Sequence, residues 1–283
     1  MIGNLMHCTD ETRLETVYEF TLHDWEVLDG YCQIQLWSRR RASCPKMTVD
    51  WGDGTIQEIE TLAQYPLWHN YRETGTFRVT FDEGLAWFRL VDCFAVDSKS
   101  RAYVVRPDVH PIQWGDFVES ASATYSYWNG DVHGNTGVWG VPPPWGKSIG
   151  DVSFCYSCSR HIEGRIPRWT NRITKAGCCF QLTGITGRIP RWPRNMADCQ
   201  QCYESCLGLV GDIPPWPPSI ELANGTYLGC KGLVGAWSDD PAELMPDNGC
   251  GHSDCVTDAS DSLRALFDED WGGTRGKERA DGE

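Results

Sequence analysis

The first hundred residues alternate apolar and polar positions in short runs. Val17-Tyr18-Glu19-Phe20-Thr21-Leu22, Tyr31-Cys32-Gln33-Ile34-Gln35-Leu36-Trp37 and Phe77-Arg78-Val79-Thr80-Phe81 each change character at every residue. A period of two puts one side of an extended chain in a core and the other in water, so these runs predict strands buried on one face. Between them, Thr48-Val49-Asp50-Trp51-Gly52-Asp53-Gly54-Thr55-Ile56 reads as strand, turn, strand, because Asp and Gly accept the positive φ of a tight hairpin.

Beyond residue 115 the pattern changes from alternation to repetition. Arg106-Pro107-Asp108-Val109-His110-Pro111 has two prolines and is expected to be an extended linker over residues 106–115. A shared motif then recurs: an apolar residue, one residue, Gly, one residue, an apolar residue, Pro, one residue, Trp. It runs from Val138 to Trp145, Ile162 to Trp169, Ile185 to Trp192 and Leu209 to Trp216, with a degenerate copy from Leu233 to Trp237. Its glycines, at 140, 164, 187, 211 and 235, are spaced 24, 23, 24 and 24 residues apart.

One copy can be read physically. In Ile162-Glu163-Gly164-Arg165-Ile166-Pro167 the isoleucines share the inner face of a strand, Glu163 and Arg165 face out, and Gly164 suits a neighbouring wall too close for a side chain. Pro167 has no N–H to donate and ends the pairing. Cys155, Cys178 and Cys202 each stand nine residues before their glycine, and Cys206 and Cys230 stand five before theirs. Small apolar thiols at repeat positions are expected to be packing residues. Zinc ligation by Cys155/Cys158 with Cys199/Cys202, or at Cys250–Cys255, is the competing reading. One tryptophan per copy, Trp145, Trp169, Trp192 and Trp216, is expected to stack into a ladder.

Composition narrows the function. Sixteen prolines, twenty-nine glycines and fourteen tryptophans suit many short strands and tight turns. The net charge of −14 repels phosphate backbones, which argues against nucleic acid. Residues 239–283 hold thirteen Asp and Glu against four Lys and Arg, so residues 241–283 are expected to form a dispensable acidic tail. No apolar run reaches the roughly 18 residues of a membrane helix. Fourteen cysteines are a hazard in a reducing cytosol unless paired, metal-bound or buried, which favours an extracellular or cell-surface site. Met1 to Cys8 nevertheless lack the basic start and apolar stretch of a signal peptide. An upstream start, another export route and a phage virion protein assembled in the cytoplasm all remain open.

Trp51-Gly52-Asp53-Gly54-Thr55, His69-Asn70-Tyr71 and Gly75-Thr76-Phe77-Arg78-Val79 resemble the polycystic-kidney-disease-type (PKD-like) immunoglobulin-fold domain, over roughly Glu15 to Val105. That resemblance implies a β-sandwich spacer in a surface protein, with Asp53 making the turn and His69 packing beside it. Tyr203-Glu204-Ser205-Cys206-Leu207-Gly208-Leu209 and Tyr227-Leu228-Gly229-Cys230-Lys231-Gly232-Leu233 resemble the BspA-like leucine-rich repeats of bacterial surface proteins. The recurrent Trp, and Leu182 where that family has Cys, depart from its pattern. This second resemblance implies adhesion or recognition.

The expected architecture is therefore mainly β: a PKD-like sandwich over residues 1–105, the linker, and a leucine-rich-repeat solenoid over residues 116–240. No nucleophile elbow, phosphate loop or His-Glu-x-x-His is present. The expected function is non-enzymatic binding of a host or bacterial surface protein or glycan, without cofactor or metal and without membrane insertion. A phage structural or host-attachment protein and an accessory part of a carbohydrate-active enzyme are the alternatives. The expected site is the outward strand face flanking the glycines: Trp139, Glu163, Arg165, Thr186, Arg188 and Asp212, with Val141, Val210, Val234 and Ala236.

Overall fold

A computed structural model describes residues 13–234, apart from 24–26, 28–29, 63–64, 106 and 126–136. Every element it describes is a β-strand. The acidic tail, Ala236, Cys250 and Cys255 lie outside the described residues.

The alternating runs form two antiparallel sheets. One contains β1 (Thr16–Leu22), β3 (Met47–Asp50), β4 (Ile56–Ile59), β6 (Gly75–Phe81) and β9 (Asp108–Gln113), in the order β4-β3-β6-β1-β9. The other contains β2 (Tyr31–Arg40), β5 (Tyr65–Tyr71), β7 (Leu85–Val96) and β8 (Ala102–Val104), in the order β5-β2-β7-β8. In β2, Cys32, Ile34, Leu36 and Ser38 are buried while Tyr31, Gln33, Gln35 and Trp37 are less so, as period-two chemistry requires. Aromatic rings close the gap between the sheets: Tyr18 stacks on Phe88 at 5.6 Å and Phe20 meets Tyr71 edge-on at 4.9 Å.

The segment expected to be a linker is largely a strand. β9 pairs with β1, Tyr18 opposite Pro111 and Phe20 opposite Val109, and a parallel bridge joins Val109 to Val138. The segment's prolines do not prevent this pairing, because an edge strand tolerates a residue without a donor. Alternation survives here, with Val109 and Pro111 buried and Ile112 exposed.

The repeats are joined to one another on two sides. On the first side, short parallel strands pair: β10 (Trp139–Gly140), β11 (His161–Arg165), β12 (Gly184–Gly187) and β13 (Gly208–Leu209), then β14 (Gly211–Asp212) with β15 (Leu233–Val234). On the second side, parallel bridges link Ser120, Asp151, Lys175, Asp198 and Leu222 in succession. Further backbone bonds run the same way, such as Phe154 N to Gly177 O at 2.8 Å and Tyr156 N to Cys179 O at 3.0 Å. Between the two sides lie Ile162, Ile185 and Leu209, all fully buried.

Aromatic rings fill the remaining interior in two columns. Tyr125, Tyr156, Phe180, Tyr203 and Tyr227 stack at 5.5, 5.6, 6.1 and 6.0 Å, tilted by no more than 19°. Trp145, Trp169, Trp192 and Trp216 stack beside them at 6.0, 5.6 and 6.1 Å, so the expected tryptophan ladder is an inner packing element. Rings this close are worth about 0.5–1.5 kcal/mol per pair beyond their buried area.

The cysteine register differs from the expected one. Tyr156 N bonds to Cys179 O, Phe180 N to Cys202 O and Tyr203 N to Thr226 O, so Cys155, Cys179, Cys202 and Thr226 are equivalent. Cys178 instead matches Phe154, Gln201 and Gly225, and all four have positive φ, between 50° and 65°. The 23-residue copy loses its residue between aromatic ring and glycine, so counting back from the glycine misplaces everything upstream. Each left-handed residue is held by its amide, which bonds to the next repeat: Phe154 N to Gly177 O, Cys178 N to Gln200 O and Gln201 N to Asn224 O.

The eleven described cysteines are thiols outside any disulfide, and burial pushes those at 178 and 206 up to about 12. A thiol reagent at neutral pH is therefore expected to react with the native protein first at half-exposed Cys44, and more slowly at Cys158, whose thiol burial also pushes up. Under denaturing, non-reducing conditions at least eleven thiols should titrate. A lower count means that disulfides, not packed thiols, fill this core.

Asp116 ties the sheets to the first repeat. Its buried carboxylate accepts from Arg13 Nε at 3.2 Å and Nη2 at 2.9 Å, and Lys147 Nζ lies 3.3 Å away. Arg13 also donates to the carbonyls of Pro144 and Trp145, at 2.9 and 2.6 Å. Burial pushes the Asp116 carboxyl up, but the bonds from Arg13 and Lys147 outweigh it and hold the group below its usual range. A depressed carboxylate stabilises above its unfolded pKa of about 4 and loses that contribution as pH falls through the folded value. Asp116→Ala should cost about 3 kcal/mol at pH 7, and Asp116→Asn should flatten the loss of stability below about pH 4 in urea titrations. An unchanged acid limb in the Asn variant would remove Asp116 from the acid response.

Candidate binding surface

The strand face of the repeats is built around four glycines. Gly140, Gly164, Gly187 and Gly211 have φ of 102°, 83°, 88° and 90°, which side-chain-bearing residues rarely adopt. Close approach adds to this: a Cβ on Gly164 would lie 3.1 Å from Val141 Cγ2. The pattern repeats, with the stem of Arg165 3.7 Å from a Cβ on Gly187 and that of Arg188 3.3 Å from one on Gly211. Val141, Arg165 and Arg188, each following a glycine, thus rest on the bare glycine of the next repeat, and the two arginines project outward.

Strand register sets the rest of the face. Gly140 pairs with Ile162, Glu163 with Gly184, Arg165 with Thr186, Thr186 with Gly208 and Asp212 with Val234. Sequence-equivalent residues therefore do not sit directly side by side. Glu163, Arg165, Thr186, Arg188 and Asp212 are all exposed, as the outward reading requires. So are Val141, Val210 and Val234, at 60%, 49% and 60%.

Trp139 is placed differently from the others. It is only half-exposed, its ring stacks on His161 at 3.7 Å, and its indole nitrogen is buried. Contact with His161 makes Trp139 part of the packing at the first strand pair, a role that a count of alternating residues does not reveal.

Arg168 and Arg172 follow Arg165 in one repeat, and Arg191 and Arg194 follow Arg188 in the next. All four are exposed, as Arg165 and Arg188 are. Among the described residues none of these six arginines makes an ion pair. Counting charge by repeat, rather than by strand face, would have found them.

The other constellation, Asp50, Asp53 and His69, forms a structural clasp. Asp53 accepts from Thr55 N at 2.9 Å through one oxygen and from His69 Nε2 at 2.8 Å through the other. Burial pushes the Asp53 carboxyl up, but these bonds prevail and keep it below its usual range. His69 lies flat on Trp51 at 4.7 Å, and the Tyr71 hydroxyl donates to Trp51 O at 2.8 Å. An open cleft of about 370 Å³ lies beside the clasp, lined among others by Asn70, Arg72, Glu73 and Phe77. Among the described residues no three His, Cys, Asp or Glu side chains gather as metal ligands would. Among them also no helix is long and apolar enough to cross a membrane.

Compared with models of protein families, with curated proteins and with solved structures, the chain matches none.

The geometry yields a prediction about the glycines. Gly187→Ala should destabilise the protein by about 1–2 kcal/mol through its left-handed backbone alone. Thr186→Ala, one residue away and exposed, should change stability by less than about 0.5 kcal/mol. Equal effects in thermal or urea unfolding would contradict the seat described here.

Proposed function

We propose that this chain is a non-enzymatic recognition protein, in which a PKD-like sandwich carries a short leucine-rich-repeat-like solenoid whose strand face binds a surface protein or glycan. The observation that carries this reading is the strand face itself. Its backbone is fixed by paired strands and left-handed glycines, while its exposed positions hold Val141, Glu163, Arg165, Thr186, Arg188, Val210 and Asp212. A rigid frame with varied side chains is what recognition of an irregular partner uses, and a prepositioned arginine loses less entropy on binding. PKD-like and BspA-like resemblances support adhesion at an extracellular, cell or virion surface.

A phage virion or host-attachment protein is the second reading, and the cysteines favour it. Eleven buried or half-buried thiols suit folding in a reducing compartment, where virion proteins assemble, and require no oxidising export route.

Arg165→Ala/Arg188→Ala is the variant of choice, and Trp139 is left intact because its stack on His161 contributes to packing. Labelled protein is to be applied to arrays of glycans and of cell-surface ectodomains. At least one ligand bound by the wild type should lose about tenfold or more in affinity in the variant, with an unchanged thermal midpoint. Ligands bound equally by both proteins would move the site off this face.

A further inference from the structure

Residues 160–194 carry eight Lys and Arg against one Glu, in a chain whose net charge is −14. The charge is concentrated in two neighbouring repeats, with Arg165, Arg168 and Arg172 in one and Arg188, Arg191 and Arg194 in the next, all exposed. Nothing in the stacking asks for cations here. At the positions of Arg165 and Arg168 the repeats on either side hold Val141 and Pro144, and Asp212 and Pro215, while Lys147, which matches Arg194, lies against Asp116; the tryptophans of those repeats stack at 6.0 and 6.1 Å all the same. Clustered guanidinium groups repel one another, so the cluster fits best where carboxylates lie against it.

Carboxylates of that kind are present in the same chain. Asp239–Glu283 begins five residues after Val234, the last described residue, and lies outside the described residues. It holds thirteen acidic side chains against four basic ones. Its densest part, Asp261 to Trp271, interleaves Asp261, Asp268, Glu269 and Asp270 with Leu263, Leu266, Phe267 and Trp271. The arginine patch has the complementary make-up, being flanked by exposed Val141 on one side and by exposed Val210 and Val234 on the other. Two strand spacings separate β15 from β12 and three separate it from β11, about 10 and 15 Å, which five extended residues can span. Asp258 to Asp270 follow Val234 by 24 to 36 residues, a tether that still gives these carboxylates an effective concentration in the millimolar range.

We propose that the acidic segment Asp239–Glu283 docks on the face of Arg165, Arg168, Arg188 and Arg191 and covers it until an outside ligand displaces it. This rests on reading the strand face as the binding surface and adds a regulator to it. Chemical labelling of arginine with hydroxyphenylglyoxal, read residue by residue by mass spectrometry on the full chain, tests it without any outside ligand. The comparison is wild type against a full-length variant with Asp258→Asn, Asp261→Asn, Asp268→Asn, Glu269→Gln and Asp270→Asn.

At low ionic strength the four arginines should label about fivefold more slowly in the wild type, as for a segment docked four-fifths of the time. Salt at about 0.5 M should bring the two proteins together, and a synthetic peptide of residues 239–283 should restore protection to the variant. Equal labelling of both proteins at low salt overturns the proposal. So does protection of both by heparin but not by the peptide, which would assign the patch to an outside polyanion. Array binding can fail while this protection is seen, or succeed without it, so the two readings fail separately.

Discussion

Ring stacking at the spacing of parallel strands is the constraint on which the rest of this structure depends. Backbones in neighbouring repeats are held close by hydrogen bonds on two sides, and whatever fills the space between must repeat at nearly that distance. Flat rings do so, and the columns from Tyr125 to Tyr227 and from Trp145 to Trp216 answer this demand. The columns also touch each other, as where Trp192 lies 5.5 Å from Tyr203 and donates to the Tyr227 hydroxyl at 3.0 Å. They continue into the paired sheets, because Trp114 touches Tyr125 and Trp145 while Phe88 touches Trp114, Tyr18 and Phe81. The two halves of the chain therefore share one apolar core.

Backbone conformation follows from that stacking. To keep rings in column while both sides pair, each repeat turns sharply beside its ring, with left-handed residues at 154 and 158, 178 and 182, 201 and 205, and 225 and 229. The strand-face glycines make the next bend, and their missing side chains seat Val141, Arg165 and Arg188. Core and binding face are linked in this way: the geometry that packs the rings also fixes where the arginines project.

Much of this was legible in the sequence, for reasons that can be named. Alternation exposed β1, β2 and β6, since one face of each is wet. The glycine period exposed the repeats, because a left-handed strand position accepts little else. Outward positions followed from period two, and Glu163, Arg165, Thr186, Arg188 and Asp212 lie where that rule puts them. β9 was hidden by its proline, and Trp139 by a partner, His161, that stands in the next repeat. The cysteine register was hidden by a deletion whose place only pairing shows. Polar contacts between repeats, such as Ser157 to Gln181 to Glu204, leave no local signal at all.

A shared core has a direct consequence for unfolding. If the sheets and the repeats were separate units meeting at a joint, each would open at its own free energy. Hydrogen exchange of the native protein in increasing urea, followed by mass spectrometry on peptides from β2 and β7 and on peptides covering residues 176–206, separates the cases. Continuity through Trp114, Tyr125 and Trp145 predicts that both sets merge into one global opening with the same midpoint, and that Trp145→Ala lowers both together. Two midpoints in the wild type, or a Trp145→Ala effect confined to the repeats, would contradict a single aromatic core.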